Sequence, residues 1–306
     1  MKILTSANHF KRIKKKIVLT IGVFDGLHIG HQFLIKKAVT VAKKIEGLSV
    51  VLTFDRHPEK LLNKRNRIKT IKDIESKINR LKIMGVDAVL VEKFEKIKSL
   101  SANDFIKKHI LKNMNLYCLV TGKDFVFGKN KSGDVRLLKR LGNKFNFKTI
   151  VVPDIKVNNR KVSSTLIREC LKNGNIKLVE KMLGRQYSIS GKVVHGRRLG
   201  FKYPTANVKL RYEDIPASGV WAVRVFYKGK KYLGAVNIGV APTLKDEKKA
   251  QLEVYIYNFH NNIYGKKIRV VFLEKIRDEK KFGKYEDLIK RVDKDIRFIK
   301  EKYKGG

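Results

Sequence analysis

Two histidines and three glycines surround an aspartate in the segment GVFDGLHIGH, which begins at Gly22. His28 and His31 are three residues apart, so on the first turn of a helix they would face the same side. Imidazole donors at a helix N-terminus can stabilise charge that builds on a phosphoryl group. Glycines in such a turn let the backbone approach a ligand closely. The other members of this candidate phosphate-binding turn are Phe24, Asp25, Gly26 and Gly30.

The histidine pair alone leaves other chemistry open. A bare pair with this spacing is equally compatible with a metal site or with a solvated helix surface. A zinc site would need a third and a fourth ligand, and only His57 is an attractive candidate. The elements around the pair therefore decide between these interpretations.

The segment lies between a strand pattern and a helix pattern. Residues 17–23 are apolar and β-branched, which is typical of a strand buried in a parallel sheet. The pattern that follows places Leu34, Ala38, Val41 and Ile45 on one helix face. Open α/β sheets bind ligands at the carboxyl ends of their strands, so the context favours phosphate.

Strand and helix patterns alternate up to about residue 183, which predicts a doubly wound parallel sheet. Further strands are expected at residues 48–54, 88–92, 116–122 and 147–153. Helices are expected at residues 73–85 and 101–114, with N-caps at Asp73 and Ser101. A helical pair follows, with Ser164 as the expected N-cap, Ile167, Cys170 and Leu171 on one face, and Gly184 as the closing residue.

After Gly184 the pattern changes to short alternating segments separated by glycine-containing turns, which predicts an antiparallel β-barrel. Leu288, Val292, Ile296 and Ile299 then recur at helical spacing and predict a terminal amphipathic helix. The expected fold is α/β followed by β. The expected domains are residues 1–184 and 185–306.

Composition limits the class of protein. The 70 Lys and Arg against 28 Asp and Glu give a net charge of +42, spread over the whole chain. This spread, without a recognised binding motif, favours compositional bias over an obligate nucleic-acid partner. Cys118 and Cys170 have no CxxC spacing, which fits a reducing compartment. The first apolar run is too short for a membrane span, so we expect a cytoplasmic protein without a membrane partner, and the sequence carries no indication of oligomeric state.

The N-terminal motifs resemble those of a known enzyme family. GVFDGLHIGH is similar to the HxGH-type nucleotidyltransferase signature in the form found in bacterial bifunctional riboflavin kinase/FAD synthetases. Three further segments agree with that family in order and spacing, namely TFDRHPEKLL, TGKDFVFGKNKSGDV and VSSTLIREC. Four matches in register make the resemblance specific.

The resemblance implies adenylyl transfer at the first site. ATP would lie over the turn, with His28 and His31 donating to its phosphates, and with Ser164, Thr165 and Arg168 closing on the same phosphates. The FMN phosphate would attack the α-phosphorus and pyrophosphate would leave. Such chemistry depends on positioning and charge neutralisation, without a covalent enzyme intermediate.

The same resemblance assigns flavin contacts to His57, Pro58, Asp124, Phe125 and Phe127. For the two phenylalanines, a purely structural role remains open, because such a pair beside a strand commonly packs in a core.

The C-terminal half resembles the flavokinase domain over nearly all of residues 185–300, through YPTANV, GVWAVRV, AVNIGVAPTL, LEVYIY and IRDEKKF. Thr205 and Asn207 match a motif that in the family contributes to binding Mg²⁺ and ATP phosphates, and their oxygens are hard ligands suited to Mg²⁺. Glu253 matches the proposed general base, and Arg277 matches a position near the flavin. The carboxylate would accept the proton of the ribityl hydroxyl as that hydroxyl attacks the γ-phosphate.

Two features of this half qualify the resemblance. Glu253 lies on an otherwise apolar strand, where alternation alone favours a solvated carboxylate outside the barrel, whereas the motif favours placement inside for catalysis. The loop HGRRLGFKYPTAN, in which Gly196 is expected to bind phosphate, is shorter than its family counterpart, and Lys202-Tyr203 replace the expected Gly-Phe.

The resemblance therefore implies that the barrel converts riboflavin and ATP into FMN and ADP, and that the N-terminal domain converts FMN and ATP into FAD and pyrophosphate, with Mg²⁺ at both sites. One alternative is a monofunctional FAD synthetase whose degenerate kinase domain only binds. Another is a flavin-responsive regulator that binds nucleic acid, although a pure binder has no need of the paired histidines.

Overall fold

The computed structural model describes residues 1–55, 70–71, 74–195, 203–209, 216–241, 249–280 and 282–304. The chain forms two compact units, Met1–Ser164 and Thr165–Gly306. This division falls at the start of the helical pair, whereas the sequence predicts the domain boundary after that pair.

A six-stranded parallel sheet forms the centre of the first unit. Its strands are β1 (Lys2–Leu4), β2 (Ile17–Ile21), β3 (Leu48–Phe54), β4 (Ala88–Glu92), β5 (Leu116–Gly122) and β6 (Lys148–Val152). They lie in the order β1-β4-β3-β2-β5-β6. The chain therefore builds the sheet to one side of β2 and then to the other, which makes the carboxyl ends of β2 and β5 a topological switch point where ligands bind.

The predicted doubly wound parallel sheet is confirmed. β3, β4 and β5 have the predicted bounds, because each is a run of apolar and β-branched residues buried on both faces. β1 was not predicted, since its three residues at the sheet edge are too few to show a period. A short hairpin, β7 (Lys156–Val157) and β8 (Arg160–Lys161), follows the sheet.

Helices cover both faces of this sheet. They are α1 (Ile29–Lys44), α2 (Ile74–Ile83), α3 (Phe94–Ile97), α4 (Ala102–Asp104) and α5 (Val135–Phe145), with a π-helical stretch at Phe105–Leu111. Alternate residues of the strands supply two cores, one containing Leu19 and Leu52 and the other containing Val18 and Val51.

α1 buries a face slightly rotated from the predicted one. Its buried residues are Leu34, Ile35, Ala38, Val39 and Ala42. Val41 and Ile45 are only partly buried and pack at the margin of the core. The predicted cap at Ser101 is confirmed, because its side chain accepts from the Asp104 N–H at 3.0 Å; the predicted cap at Asp73 lies outside the described residues.

The helical pair consists of α6 (Ser164–Lys172) and α7 (Ile176–Leu183). Ile167, Cys170 and Leu171 are buried as predicted, and Gly184 ends α7 in the left-handed conformation at φ +64°. The cap prediction for Ser164 was wrong. Ser164 is the first helical residue, and its hydroxyl donates to the Asp25 carbonyl at 3.0 Å.

A closed antiparallel barrel forms the second unit and confirms the predicted fold class. Its strands are β9 (Ser188–Val194), β10 (Thr205–Lys209), β11 (Gly219–Tyr227), β12 (Lys230–Ala241), β13 (Lys249–Ile256) and β14 (Lys267–Arg277). They close in the order β10-β13-β12-β11-β14-β9. Register partners on β11, β12 and β13, such as Trp221, Val236 and Val254, are buried and fill the interior.

The predicted terminal helix is α8 (Tyr285–Lys302). It packs on the outside of the barrel, where Ile296 and Ile299 contact a cluster with Ala222 and Tyr257. Within the described residues, no helix has the length and apolar character needed to cross a membrane.

Candidate active sites

The phosphate-binding candidate is a tight left-handed turn between β2 and α1. Phe24 and Leu27 have φ values of +51° and +42°, and Gly26 has φ +73°. Left-handed backbone is unfavourable for non-glycine residues, so Phe24 and Leu27, two such residues within four positions, mark a locally strained turn. Strain of this kind is commonly retained at ligand sites, which agrees with the position of the turn at the switch point of the sheet.

The two histidines are locked against each other at the start of α1. The His31 N–H donates to Nδ1 of His28 at 3.2 Å, and the two rings stack with centroids 3.5 Å apart. This bond makes Nδ1 of His28 an acceptor, so in the neutral ring the proton is on Nε2. A Cβ on Gly30 would meet the His28 ring at 3.2 Å, which explains why glycine separates the histidines.

The surroundings of His31 disfavour its protonated form. Burial, and secondarily the nearby His28 and Lys77, hold the pKa of His31 well below its usual value. The edge of the Phe24 ring contacts the His31 ring, with centroids 5.2 Å apart. Nδ1 of His31 is buried and has no hydrogen-bond partner among the described residues. A buried nitrogen without a hydrogen-bond partner is suited to bind a polar atom of an incoming ligand.

Asp25 holds the turn in place from within. Its side chain is 3% exposed, and its carboxylate accepts from the Ile71 N–H at 2.9 and 3.1 Å. Its carbonyl accepts from the Ser164 hydroxyl. This bond places Ser164 beside the turn, whereas Thr165 and Arg168 follow it on α6 in the second compact unit.

The sequence analysis missed Lys77, a lysine of α2 that is only 8% exposed. Its Nζ donates to the Val23 carbonyl at 2.6 Å and to Oγ1 of Thr53 at 3.2 Å. Burial lowers the pKa of Lys77 to about 8, against the opposing effect of Asp25. Lys77 lies four residues before the buried Leu81, and residues i and i+4 share a helix face. The spacing therefore indicated that Lys77 faces the core.

The loop after β5 contains the predicted flavin contacts. Phe125 and Phe127 stack with centroids 5.4 Å apart, and Phe127 is 7% exposed within the core. Phe127 therefore packs in the core and the partly buried Phe125 lies at its margin, and the flavin contacts of both residues remain predictions. Asp124 is exposed and pairs with Lys161 of β8, which also reaches Asp154 at 3.0 Å. His57 and Pro58 lie outside the described residues.

The kinase candidates line up across three strands of the barrel. Glu253 of β13 lies directly opposite Asn207 of β10 and directly opposite Asn237 of β12. Directly opposed residues in antiparallel strands present their side chains on one face at close range. Thr205 is two residues from Asn207 on the same strand and shares that face. The structure thus brings Thr205, Asn207 and Glu253 together, whereas Gly196 lies outside the described residues.

The expectation that Glu253 points inside the barrel was wrong. Its strand neighbours Leu252 and Val254 are buried in the interior, so Glu253 lies on the outer face, where it is half-buried. Among the described residues, the barrel interior is filled by buried apolar side chains such as Trp221, Val236 and Val254. Asn237 was not among the predicted site residues. Its position as a polar residue within the apolar run AVNIG was the sequence feature that distinguished it.

Arg277 connects the barrel to the terminal helix. Its Nε donates to Asp295 of α8 at 2.7 Å, and both side chains are largely buried. Its Nη1 donates to the Asp278 carbonyl. These contacts give Arg277 a structural role, and its predicted position near a flavin remains a prediction.

Tyr203 connects the start of the kinase motif to the same helix. Its hydroxyl donates to the Asp293 carboxylate, and its ring meets Tyr255 edge-on at 5.1 Å. Tyr255 is the register partner of Thr205, so these contacts fix the entry of β10. Tyrosine in place of the family's phenylalanine therefore supplies an anchor beside the shortened loop.

We expect Tyr203→Phe to lower kcat/KM of riboflavin phosphorylation by about tenfold, the range for losing one hydrogen bond to a charged group. Adenylyl transfer from FMN, measured on the same preparation, should not change. Tyr264→Phe, in the same barrel, is the matched control. An unchanged kinase in Tyr203→Phe would show that the bond to Asp293 does not position β10.

Comparison with known proteins agrees with the two predicted kinds of domain. The FAD synthetase family model matches residues 10–166, and the riboflavin kinase family model matches residues 183–303. A bifunctional riboflavin kinase/FMN adenylyltransferase from Buchnera aphidicola subsp. Schizaphis graminum is 39% identical and aligns over 98% of each chain. The Escherichia coli K12 protein of the same name is 35% identical over 91% of this chain and 90% of its own.

A solved structure shares the whole fold. It is described as a macrolide-efflux protein from Streptococcus pneumoniae, has a TM-score of 0.87 and 32% sequence identity, and covers 98% of this chain and 99% of its own. Its description differs from the names of the curated relatives, but its fold is that of this chain. With two family models matched and curated relatives aligned almost end to end, this chain belongs to the family of bifunctional riboflavin kinase/FMN adenylyltransferases.

Proposed function

We propose that this protein phosphorylates riboflavin in its barrel and adenylylates FMN in its parallel-sheet domain, at two separate sites. The observation that supports this most strongly is the complete turn with the locked histidine pair at the switch point, together with the Asn207–Glu253–Asn237 row on the barrel. The domain assignment is residues 1–184 for adenylyl transfer and 185–306 for the kinase. ATP, riboflavin and FMN are substrates, and FAD is the final product.

Adenylyl transfer is an in-line displacement. A phosphate oxygen of FMN attacks the α-phosphorus of ATP, the bond to the bridging oxygen of the β-phosphate breaks, and pyrophosphate leaves with that oxygen. Backbone N–H groups of the turn and of the start of α1 would bind the phosphates. Nε2–H of His28 would donate where negative charge builds, because the His31 N–H fixes the tautomer.

The remaining contacts of the first site are assigned by family membership. Gly22, Gly26 and Gly30 allow close approach of the phosphates, and Ser164, Thr165 and Arg168 bind them from α6. Asp124, Phe125, His57 and Pro58 are proposed flavin contacts.

Riboflavin phosphorylation needs a base for the terminal ribityl hydroxyl. Glu253 would accept that proton as the hydroxyl oxygen attacks the γ-phosphorus, the bond to the β-phosphate oxygen breaks, and ADP leaves. The amide side chains that flank it, Asn207 and Asn237, can orient the carboxylate and the nucleotide without repelling either.

The residues present fit Mg²⁺ at the kinase site. Thr205 and Asn207 offer hydroxyl and amide oxygens on the same face as the Glu253 carboxylate, and hard oxygen donors are what Mg²⁺ prefers. Among the described residues, no group of three or more His, Cys, Asp or Glu could hold a metal, so ATP phosphates and water would complete the coordination. When bound with ATP, the ion would neutralise charge on the phosphates.

We further propose that the protein works in the cytoplasm, where ATP is available, without an obligate nucleic-acid or membrane partner. The chemistry of both sites is served by small molecules alone. The positive charge is spread along the chain and supports no single nucleic-acid surface.

Flavin chromatography tests the proposed pair of activities. Purified protein is incubated with ATP and Mg²⁺, starting either from riboflavin or from FMN. We expect FAD from both, with FMN as the intermediate in the first. FAD from FMN alone would support a monofunctional FAD synthetase, and turnover of neither would support the regulator.

A further inference from the structure

Lys77 is a buried cation beside the phosphate-binding turn. It is 8% exposed, and burial of a charged ammonium is costly unless the group is paired. The carbonyl that it contacts, that of Val23, also accepts from Oγ1 of Thr53 at 3.1 Å. If Lys77 were replaced by an apolar side chain of similar size, the Val23 carbonyl would keep a donor.

The Asp25 carboxylate attracts the charge of Lys77 and is itself bound to the backbone. Asp25 is the carboxylate that favours the Lys77 ammonium, but its oxygens accept from the Ile71 N–H at 2.9 and 3.1 Å. The net effect of the surroundings is unfavourable to the ammonium, because desolvation outweighs Asp25 and brings the pKa of Lys77 to about 8. The site therefore holds a charge that costs stability.

The position of the Lys77 ammonium indicates that it acts on the phosphate-binding turn. Val23 is the residue immediately before the left-handed turn, and Asp25 lies within the turn. Lys77 also acts electrostatically on His31 at the start of α1. Adenylyl transfer brings the FMN phosphate against the triphosphate of ATP, so the reacting groups are strongly anionic. A fixed positive charge beside the turn, in a region of low dielectric, would oppose their repulsion without any reorganisation.

We propose that Lys77 is a positioning residue for adenylyl transfer, which fixes the start of the phosphate-binding turn through Val23 and supplies a buried positive charge to the anionic substrates. This inference rests on the proposed adenylyltransferase function of the turn. Costly charges of this kind are retained where activity needs them at the expense of stability.

Replacement of Lys77 tests the charge directly. We expect Lys77→Met to lower kcat/KM of FMN adenylylation by at least about tenfold and to melt at or above the temperature of the unchanged protein. Lys77→Arg retains the charge and should recover most of the lost activity. Lys82→Met, an exposed lysine of the same helix, is the matched control. Riboflavin phosphorylation should be the same in every variant.

The pH dependence of adenylyl transfer distinguishes an effect of the Lys77 charge from an effect of the shape of its side chain. Among the described residues, Asp25 raises the pKa of Lys77, and Lys77 in turn lowers the pKa of His31. Because the ammonium is the working form and the pKa of Lys77 is about 8, adenylyl transfer should decline as the pH rises through that value. A guanidinium stays charged in this range, so Lys77→Arg should lack the decline.

Three outcomes would overturn the inference. If kcat/KM of FMN adenylylation by Lys77→Met were within about twofold of that of the unchanged protein, Lys77 would have no role in the reaction. Loss of folding in Lys77→Met would make Lys77 a structural residue, and equal loss of activity in the folded Met and Arg variants would show that charge is not the cause. If the unchanged protein itself failed to make FAD from FMN, the proposed function would fail first, which is distinguishable from all three.

Discussion

His28→Ala should abolish adenylyl transfer while riboflavin phosphorylation continues. The His31 N–H and the stacked His31 ring hold the His28 imidazole in one orientation, with the proton of its neutral ring on Nε2. Loss of one preorganised donor of this kind costs about a hundredfold to a thousandfold in kcat. The measurement is the initial rate of FAD formation from FMN, alongside the rate of FMN formation from riboflavin.

Two controls make this result interpretable. His9→Ala removes an exposed histidine from the same unit and should leave both rates unchanged. His28→Ala should also retain its melting temperature to within a few degrees, because its side chain contributes one helix cap. Equal loss of both reactions in a well-folded His28→Ala protein would contradict the assignment of two separate sites.

Glu253→Gln should have the opposite effect, with phosphorylation lost and FAD still formed from supplied FMN. The substitution keeps the shape and the flanking asparagines and removes only the ability to accept a proton. General bases contribute about a hundredfold to ten-thousandfold to the rate, so kcat of the kinase should fall by that amount. The same two initial rates measure it.

The position of Glu253 on the outer face predicts that this loss is kinetic and not structural. The side chain is half-buried on the outside of the barrel, so Glu253→Gln leaves the packed interior untouched and should melt normally. Glu301→Gln, on an exposed position of α8, is the matched control. An unchanged kcat of riboflavin phosphorylation in Glu253→Gln would show that Glu253 is not the general base.

The sequence predicted the elements that position the sites better than it predicted the directions of side chains. Long apolar runs determined the parallel strands, and the glycine-rich segment with its two histidines determined the turn between β2 and α1. The alternation along β13 correctly separated Glu253 from Leu252 and Val254 and favoured the outer face for the carboxylate, whereas the resemblance to the family motif favoured the interior. Which face is interior depends on how six strands close, and a short motif does not record that.

Contacts between distant residues were the part that the sequence could not provide. Lys77 on α2 meets Val23 across 54 positions of the chain, and the Asp25 carboxylate meets the Ile71 N–H across 46. Asn237 becomes a neighbour of Glu253 only through the register of β12 and β13. The local sequence provided at most a weak signal for Lys77 and Asn237, and the partner of each residue is defined only by the tertiary structure.

Isotope transfer from ATP tests the central claim, two phosphate transfers at two sites of one chain, most directly. Protein is incubated with riboflavin and ATP labelled at either the γ- or the α-phosphorus, and the FAD is isolated. The account predicts that FAD made from riboflavin carries both labels in equal amounts, the γ-label from the kinase and the α-label from adenylyl transfer, whereas FAD made from FMN carries only the α-label. Riboflavin that stays unconsumed and unlabelled, under conditions in which FMN is converted to FAD, would contradict it.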